Sequence, residues 1–177
     1  METIAIANSV LQLSDCIILT INEERPSPKV LMIPLILSLT SICIPILLLF
    51  IFLQSSEGLS LGFFISCAIF IMVSGYMTRL YLWNKHGKEV FIINKSELIT
   101  YHDHKYFKDN YKTFHWDTIN ILAEYGNKTF MVNSQSLQAI DKTSYVNFSF
   151  LTKEGMVMSK NAVSIQLLYK IVEHLNK

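Results

Sequence analysis

The chain is poor in charge, in glycine, in cysteine and above all in arginine. Charged residues make up 16% of its 177 positions, against about 25% in a soluble domain. Its six glycines form no phosphate-cradling loop. No serine stands in a Gly-x-Ser-x-Gly element or at triad spacing from a His–Asp pair. The residues for nucleophilic or phosphoryl chemistry are therefore missing, and neither an enzyme nor a cofactor is expected. Cys16, Cys43 and Cys67 are odd in number and make no CxxC. That argues against a disulfide framework or a zinc site and leaves them as small apolar fillers. From Trp83 onward there is no arginine, and twelve lysines face nine Asp and Glu, a net of +3. This is a weak electrostatic footprint, and no nucleic-acid partner is expected. The first 24 residues hold no Lys or Arg, so the basic start of a signal peptide is absent.

What is abundant is apolar residues, 51% of the chain, and they are concentrated. Val30–Leu53 and Leu59–Thr78 contain no Asp, Glu, Lys, Arg or His. About 20 apolar residues at about 1.5 Å each cross a hydrocarbon core of about 30 Å. Too little chain remains to wrap two such helices in a soluble core. The expectation is a transmembrane helical hairpin over 30–82, with spans at about 30–53 and 59–82. Pro34 lies near the first turn, where its missing N–H costs little, and interior Pro45 predicts a kink. Gly62 and Ser66 are small and four apart, which predicts close helix packing there, against the first span or, alternatively, against a second copy of the chain. Arg25 and Lys29 precede the first span, Arg79, Lys85 and Lys88 flank or follow the end of the second, and the connecting loop holds only Glu57. The positive-inside rule then places both termini in the cytoplasm of a two-pass protein of the bacterial inner (plasma) membrane.

Residues 1–29 read as a preface: one long strand or a short hairpin over Asn8–Ile21, then a breaker at Pro26 and Pro28. From Glu89 the apolar period changes to two. Seven antiparallel strands are expected: 89–94, 97–105, 111–116, 119–125, 129–133, 145–151 and 156–159, with a turn at Lys108-Asp109-Asn110. A terminal helix follows, capped by Asn161, with Val163, Leu167, Leu168, Tyr169, Val172 and Leu175 as its apolar stripe. The fold class is thus membrane α+β: a two-helix hairpin, then a cytoplasmic seven-stranded β-barrel or sandwich over 88–177, closed by a C-terminal helix. Trp116, Ile119, Leu168 and Val172 are expected in its core.

Two segments carry a family likeness: Phe114-His115-Trp116-Asp117-Thr118-Ile119, and Leu151-Thr152-Lys153-Glu154-Gly155 as the hairpin before the last strand. With the paired spans, residues from Leu80 to Lys177 resemble the bacterial pleckstrin-homology-like membrane proteins. The resemblance implies a PH-like fold and a membrane address, and no catalytic residues. Eukaryotic pleckstrin-homology domains hold phosphoinositide headgroups near their first hairpins. The resemblance therefore directs attention to Lys105, Tyr106, Phe107, Lys108, Tyr111 and Lys112 as contacts to anionic headgroups or a protein partner. No arginine is present there to bind phosphate through two bonds. His102, His104 and His115 invite comparison with a Zn²⁺ or Cu²⁺ site, but Asp103 points away and no fourth ligand is evident, so no metal is expected. The functional expectation is a non-catalytic, membrane-anchored interaction module, an accessory or immunity-type protein. It would bind another membrane protein, or a second copy of itself, at the inner leaflet. The alternative is a membrane effector of antiviral defence gated by a cyclic nucleotide.

Overall fold

The computed structural model describes residues 2–54, 60–126, 128–132 and 144–175. It divides into two units: residues 24–86, and residues 1–23 together with 87–177. The first holds two helices, α1 (Pro28–Gln54) and α2 (Leu61–His86). Pro28 opens α1, where a fixed φ and a missing donor cost nothing. The helix runs on through Pro34 and Pro45. Both helices are long and apolar enough to cross a membrane. Their side chains are apolar on nearly all sides, and Leu47, Phe50, Ile71 and Met72 stand more than half exposed.

The seam between the two helices differs from the expected one. Gly62 and Ser66 do not make it: the Ser66 hydroxyl turns back to the Gly62 carbonyl at 2.9 Å. The seam is built instead on Ser38, whose hydroxyl lies 3.0 Å from that of Ser74 and 2.7 Å from that of Thr78. Ser38, Ser41 and Ser74 are buried in helices that otherwise bury little. Hydroxyls in apolar helices gain by pairing with one another, because hydrocarbon offers them nothing. Phe52 and Phe63 close the seam edge to face at 5.4 Å.

The second unit is a pair of antiparallel sheets. The first is six strands in sequence order: β1 (Glu2–Ile6), β2 (Ser9–Leu13), β3 (Ile17–Asn22), β4 (Lys88–Ile93), β5 (Glu97–Asp103) and β6 (Lys108–His115). The second contains β7 (Asn120–Tyr125), β8 (Lys128–Met131), β9 (Tyr145–Thr152) and β10 (Gly155–Met158) in the order β10-β9-β7-β8. A short β11 (Val163–Ser164) pairs with β9. The N-terminal segment, a strand or short hairpin by its sequence, forms three strands and joins the sheet through β3 and β4. Asn22 is paired with Lys88 across the entire helical unit, and Glu23 N–H donates to the Gly87 carbonyl at 2.9 Å.

Alternation sets the faces. Leu11, Leu13, Ile17, Leu19, Ile21, Phe91 and Ile93 point from one sheet and Ile121, Ala123, Phe148 and Phe150 from the other, all buried. Phe91 meets Phe148 and Phe150, each at 5.6 Å, and so joins the two layers. Helix α3 (Ile165–Leu175) adds Ile165, Leu167, Leu168, Ile171 and Val172 to the same core. Of the four expected core residues, Leu168 and Val172 are buried, while Trp116 and Ile119 are half-buried against the cluster. The helix starts later than expected, because Val163 and Ser164 are used by the sheet. Ser164 is its cap, accepting from Gln166 N–H at 3.3 Å. Asn161 donates instead to Glu23 at 3.0 Å. Tyr169, expected in the stripe, lies on the exposed side, whereas Ile171, not expected there, is fully buried.

Candidate functional site

The β5–β6 hairpin turns at His104–Phe107 and not at Lys108–Asn110, which lie within β6. Two local features fix this. The Asp103 carboxylate accepts Lys105 N–H at 2.7 Å, and Lys105 takes a left-handed φ of 77°. His104 N–H then closes the turn on the Phe107 carbonyl at 3.0 Å. Farther along, the register shifts between Thr100 and His102, and Asn110 has φ 52°. This is a β-bulge, and Asn is among the few side chains that tolerate that conformation. The Asp-Asn pair that resembles a turn in sequence therefore makes a bulge.

The bulge decides which side chains meet. Tyr101 and Tyr111 stack at 5.8 Å, and the Lys108 ammonium lies 4.6 Å above the Tyr101 ring. Lys105 sits 5.4 Å from the Tyr106 ring centre. Tyr106 is 69% exposed, Tyr111 62% and Phe107 39%. Lys105, Lys108 and Lys112 are exposed on the same hairpin. All six candidate contact residues thus fall on one β-ribbon, four of them in its turn or beside it.

Behind the ribbon runs a row of titratable groups in which His102 and His104, singled out in the sequence, are joined by Asp109 and Glu89, which sequence reasoning missed. Buried His104 stacks on Phe107 at 4.4 Å, and its Nε2 is 3.1 Å from Asp109 Oδ2. His102 lies between two carboxylates, 3.6 Å from Asp109 and 3.8 Å from Glu89. Glu89 is 3% exposed and accepts from the Ser159 hydroxyl at 3.0 Å and from Lys160 N–H at 3.1 Å. Burial pushes its carboxyl above the usual range, against the lowering effect of Ser159, the Lys160 N–H and the Lys160 charge. The signal for Glu89 was its parity with Phe91 and Ile93, which placed a carboxylate on the inward face of β4. His115 does not join the row. With the turn at 104–107 it stands opposite Glu97, exposed, at 3.6 Å. Among the described residues no group of three or more His, Cys, Asp or Glu is arranged to hold a metal ion.

A cleft of about 230 Å³ opens between the outer strands of the two sheets, β6 and β10. Glu89, Thr100, His102, Asn110 and Lys112 line one side, and Val157 and Lys160 the other. One end is pinned by His115 N–H donating to the Glu154 carboxylate at 3.0 Å and by an exposed ion pair of Lys153 with Asp117, whose carboxyl Lys153 holds below its usual range. The other end is pinned by Glu89 on Ser159 and Lys160. The two segments singled out in the sequence, 114–119 and 151–155, therefore meet at one end of this cleft. Trp116 N–H donates to the Ser96 carbonyl at 2.9 Å.

No family model matches the chain, and neither a curated protein nor a solved structure matches it.

Proposed function

We propose that the chain is a non-catalytic interaction module held in the bacterial inner membrane by its two helices. Both termini would be cytoplasmic, and the β5–β6 ribbon of a PH-like unit would contact another membrane protein. The observation that carries this reading is the ribbon itself. It exposes Tyr106, Phe107 and Tyr111 beside three lysines. Tyrosine supplies large contact area at low entropic cost and is enriched at recognition surfaces. The lysines suit an acidic partner surface close to an anionic leaflet, where each adds about 1 kcal/mol. The membrane address rests on the length and apolar exposure of α1 and α2. The cleft between β6 and β10, at about 230 Å³, is smaller than the roughly 300–1,000 Å³ of pockets for drug-sized ligands, so this cleft does not suit a cyclic nucleotide.

The test places a photoreactive amino acid at Tyr106 of the full-length chain in native membranes. A discrete protein adduct, lost when Lys105 and Lys108 are changed to Glu, is the expected result. Lipid adducts alone would transfer the ribbon to headgroup binding. Absence of any adduct at Tyr106 would remove the ribbon as a contact surface.

A further inference from the structure

The cleft between β6 and β10 is distinct from the ribbon tip, and its charges are ordered by depth. Its floor is negative: Glu89 is almost fully buried, and Asp109 lies one imidazole away, across His102. Its rim is positive: Lys112 and Lys160 line it and are exposed. Lys112 has no ion-pair partner among the described residues. A buried carboxylate loses hydration that two hydrogen bonds replace only in part, and its raised affinity for a proton reports that deficit. Such groups collect at binding sites. The carboxylate is also held in place, since Ser159 and Lys160 fix Oε2 from one side.

The order of charge selects a ligand class. A bare cation entering the cleft passes two ammonium groups before it reaches Glu89. A bare anion is welcomed at the rim and repelled at the floor. A molecule with a positive end inward and a negative end outward meets complementary charge at both depths. Volume limits its size. About 230 Å³ is the share of roughly eight liquid waters, enough for a small amino acid. An added strand would not fit, and Lys108, Lys112 and the bulge already shield the β6 edge against strand pairing. Phe114 and Val157 supply an apolar wall for a short side chain.

We propose that this cleft binds a compact zwitterion of the α-amino-acid class, its ammonium on Glu89 and its carboxylate at Lys112. The proposal goes beyond the contact function of the ribbon and stands or falls separately from it.

The test uses the full-length protein in detergent or nanodiscs with free alanine, serine and valine as probes. Each is compared with the amine lacking the carboxylate and with the acid lacking the amine. The expected result is a rise in the thermal midpoint with at least one amino acid at millimolar concentration, absent with its amine and with its acid. Glu89→Gln is nearly isosteric and keeps one oxygen that can accept from both the Ser159 hydroxyl and Lys160 N–H. It should weaken binding by at least about tenfold, since it removes a charge-assisted contact. Lys112→Ala, at an exposed position, should weaken it as well without affecting the fold. The proposal is overturned if none of the three amino acids binds, if the amine alone binds equally well, or if Glu89→Gln binds like the parent. The Tyr106 adduct is a separate readout, so failure here leaves the ribbon untouched and failure there leaves the cleft untouched.

Discussion

Glu89 is held where an ion is expensive. Its pKa in the folded chain lies above the ordinary 4.5, chiefly because burial penalises the charged form. The folded state therefore binds this proton more tightly than the unfolded one. The contribution of Glu89 to stability is greatest below pH 4.5 and is lost as pH rises through the raised folded value. At neutral pH the ionised group is a cost. Glu89→Gln removes that cost while keeping the shape, and should stabilise the unit at pH 7–8 by on the order of 1 kcal/mol. The advantage should shrink as pH falls toward 5. Thermal melts of parent and variant across that range measure it. A variant less stable than the parent at pH 8 would mean that the Ser159 and Lys160 bonds outweigh desolvation. Asp117 is the opposite case: Lys153 lowers its pKa, but both groups are exposed, and such a pair adds little.

Local patterns were legible in proportion to how local their causes are. The clean alternation over 145–151 appears as β9, and the long uncharged runs appear as α1 and α2. The β5–β6 turn was misplaced because Lys108-Asp109-Asn110 has the composition of a turn. The side chain that sets the real one, Asp103, acts through a single bond to Lys105 N–H. The start of α3 was misplaced because Val163 and Ser164 pair with β9, a contact that helix periodicity does not encode. The lysines and aromatics of the ribbon were legible as a cluster. The cleft was not, since it arises where β4, β5 and β6 meet β10, strands far apart in sequence. The face of α3 provides a direct check. Leu168 is fully buried and Tyr169 is 39% exposed. Leu168→Ala should cost about 2–5 kcal/mol, whereas Tyr169→Ala should cost under about 1 kcal/mol. Denaturant titration of the two variants decides it, and equal losses would overturn the assignment of the buried face.

The helical unit is inserted where a β-turn would otherwise join β3 to β4. Asn22 pairs with Lys88, and Glu23 bonds to Gly87, so the chain leaves and re-enters the sheet at neighbouring positions. If the helices cross a membrane, both flanks must emerge on one side, because a single sheet cannot straddle a bilayer. This argument is independent of the positive flanks; it requires the two flanks to share a side, while the choice of side rests on the basic residues alone. In a variant lacking Cys16, Cys43 and Cys67, a Gln54→Cys thiol should react with an impermeant maleimide added outside intact cells. Reaction only after lysis would reverse the assignment. The same insertion imposes an order on synthesis. Strand β3 carries Ile17, Leu19 and Ile21 on its inward face and an edge that only β4 completes. Residues 24–86 separate the two. At roughly 5–20 residues per second the ribosome takes on the order of 3–12 s to deliver β4. Through that interval the β1–β3 sheet waits half-built, its apolar face open to other nascent chains. Synthesis of the helical segment thus sets the clock for closing the β unit. A delay at that step would be expressed as aggregation of the β unit.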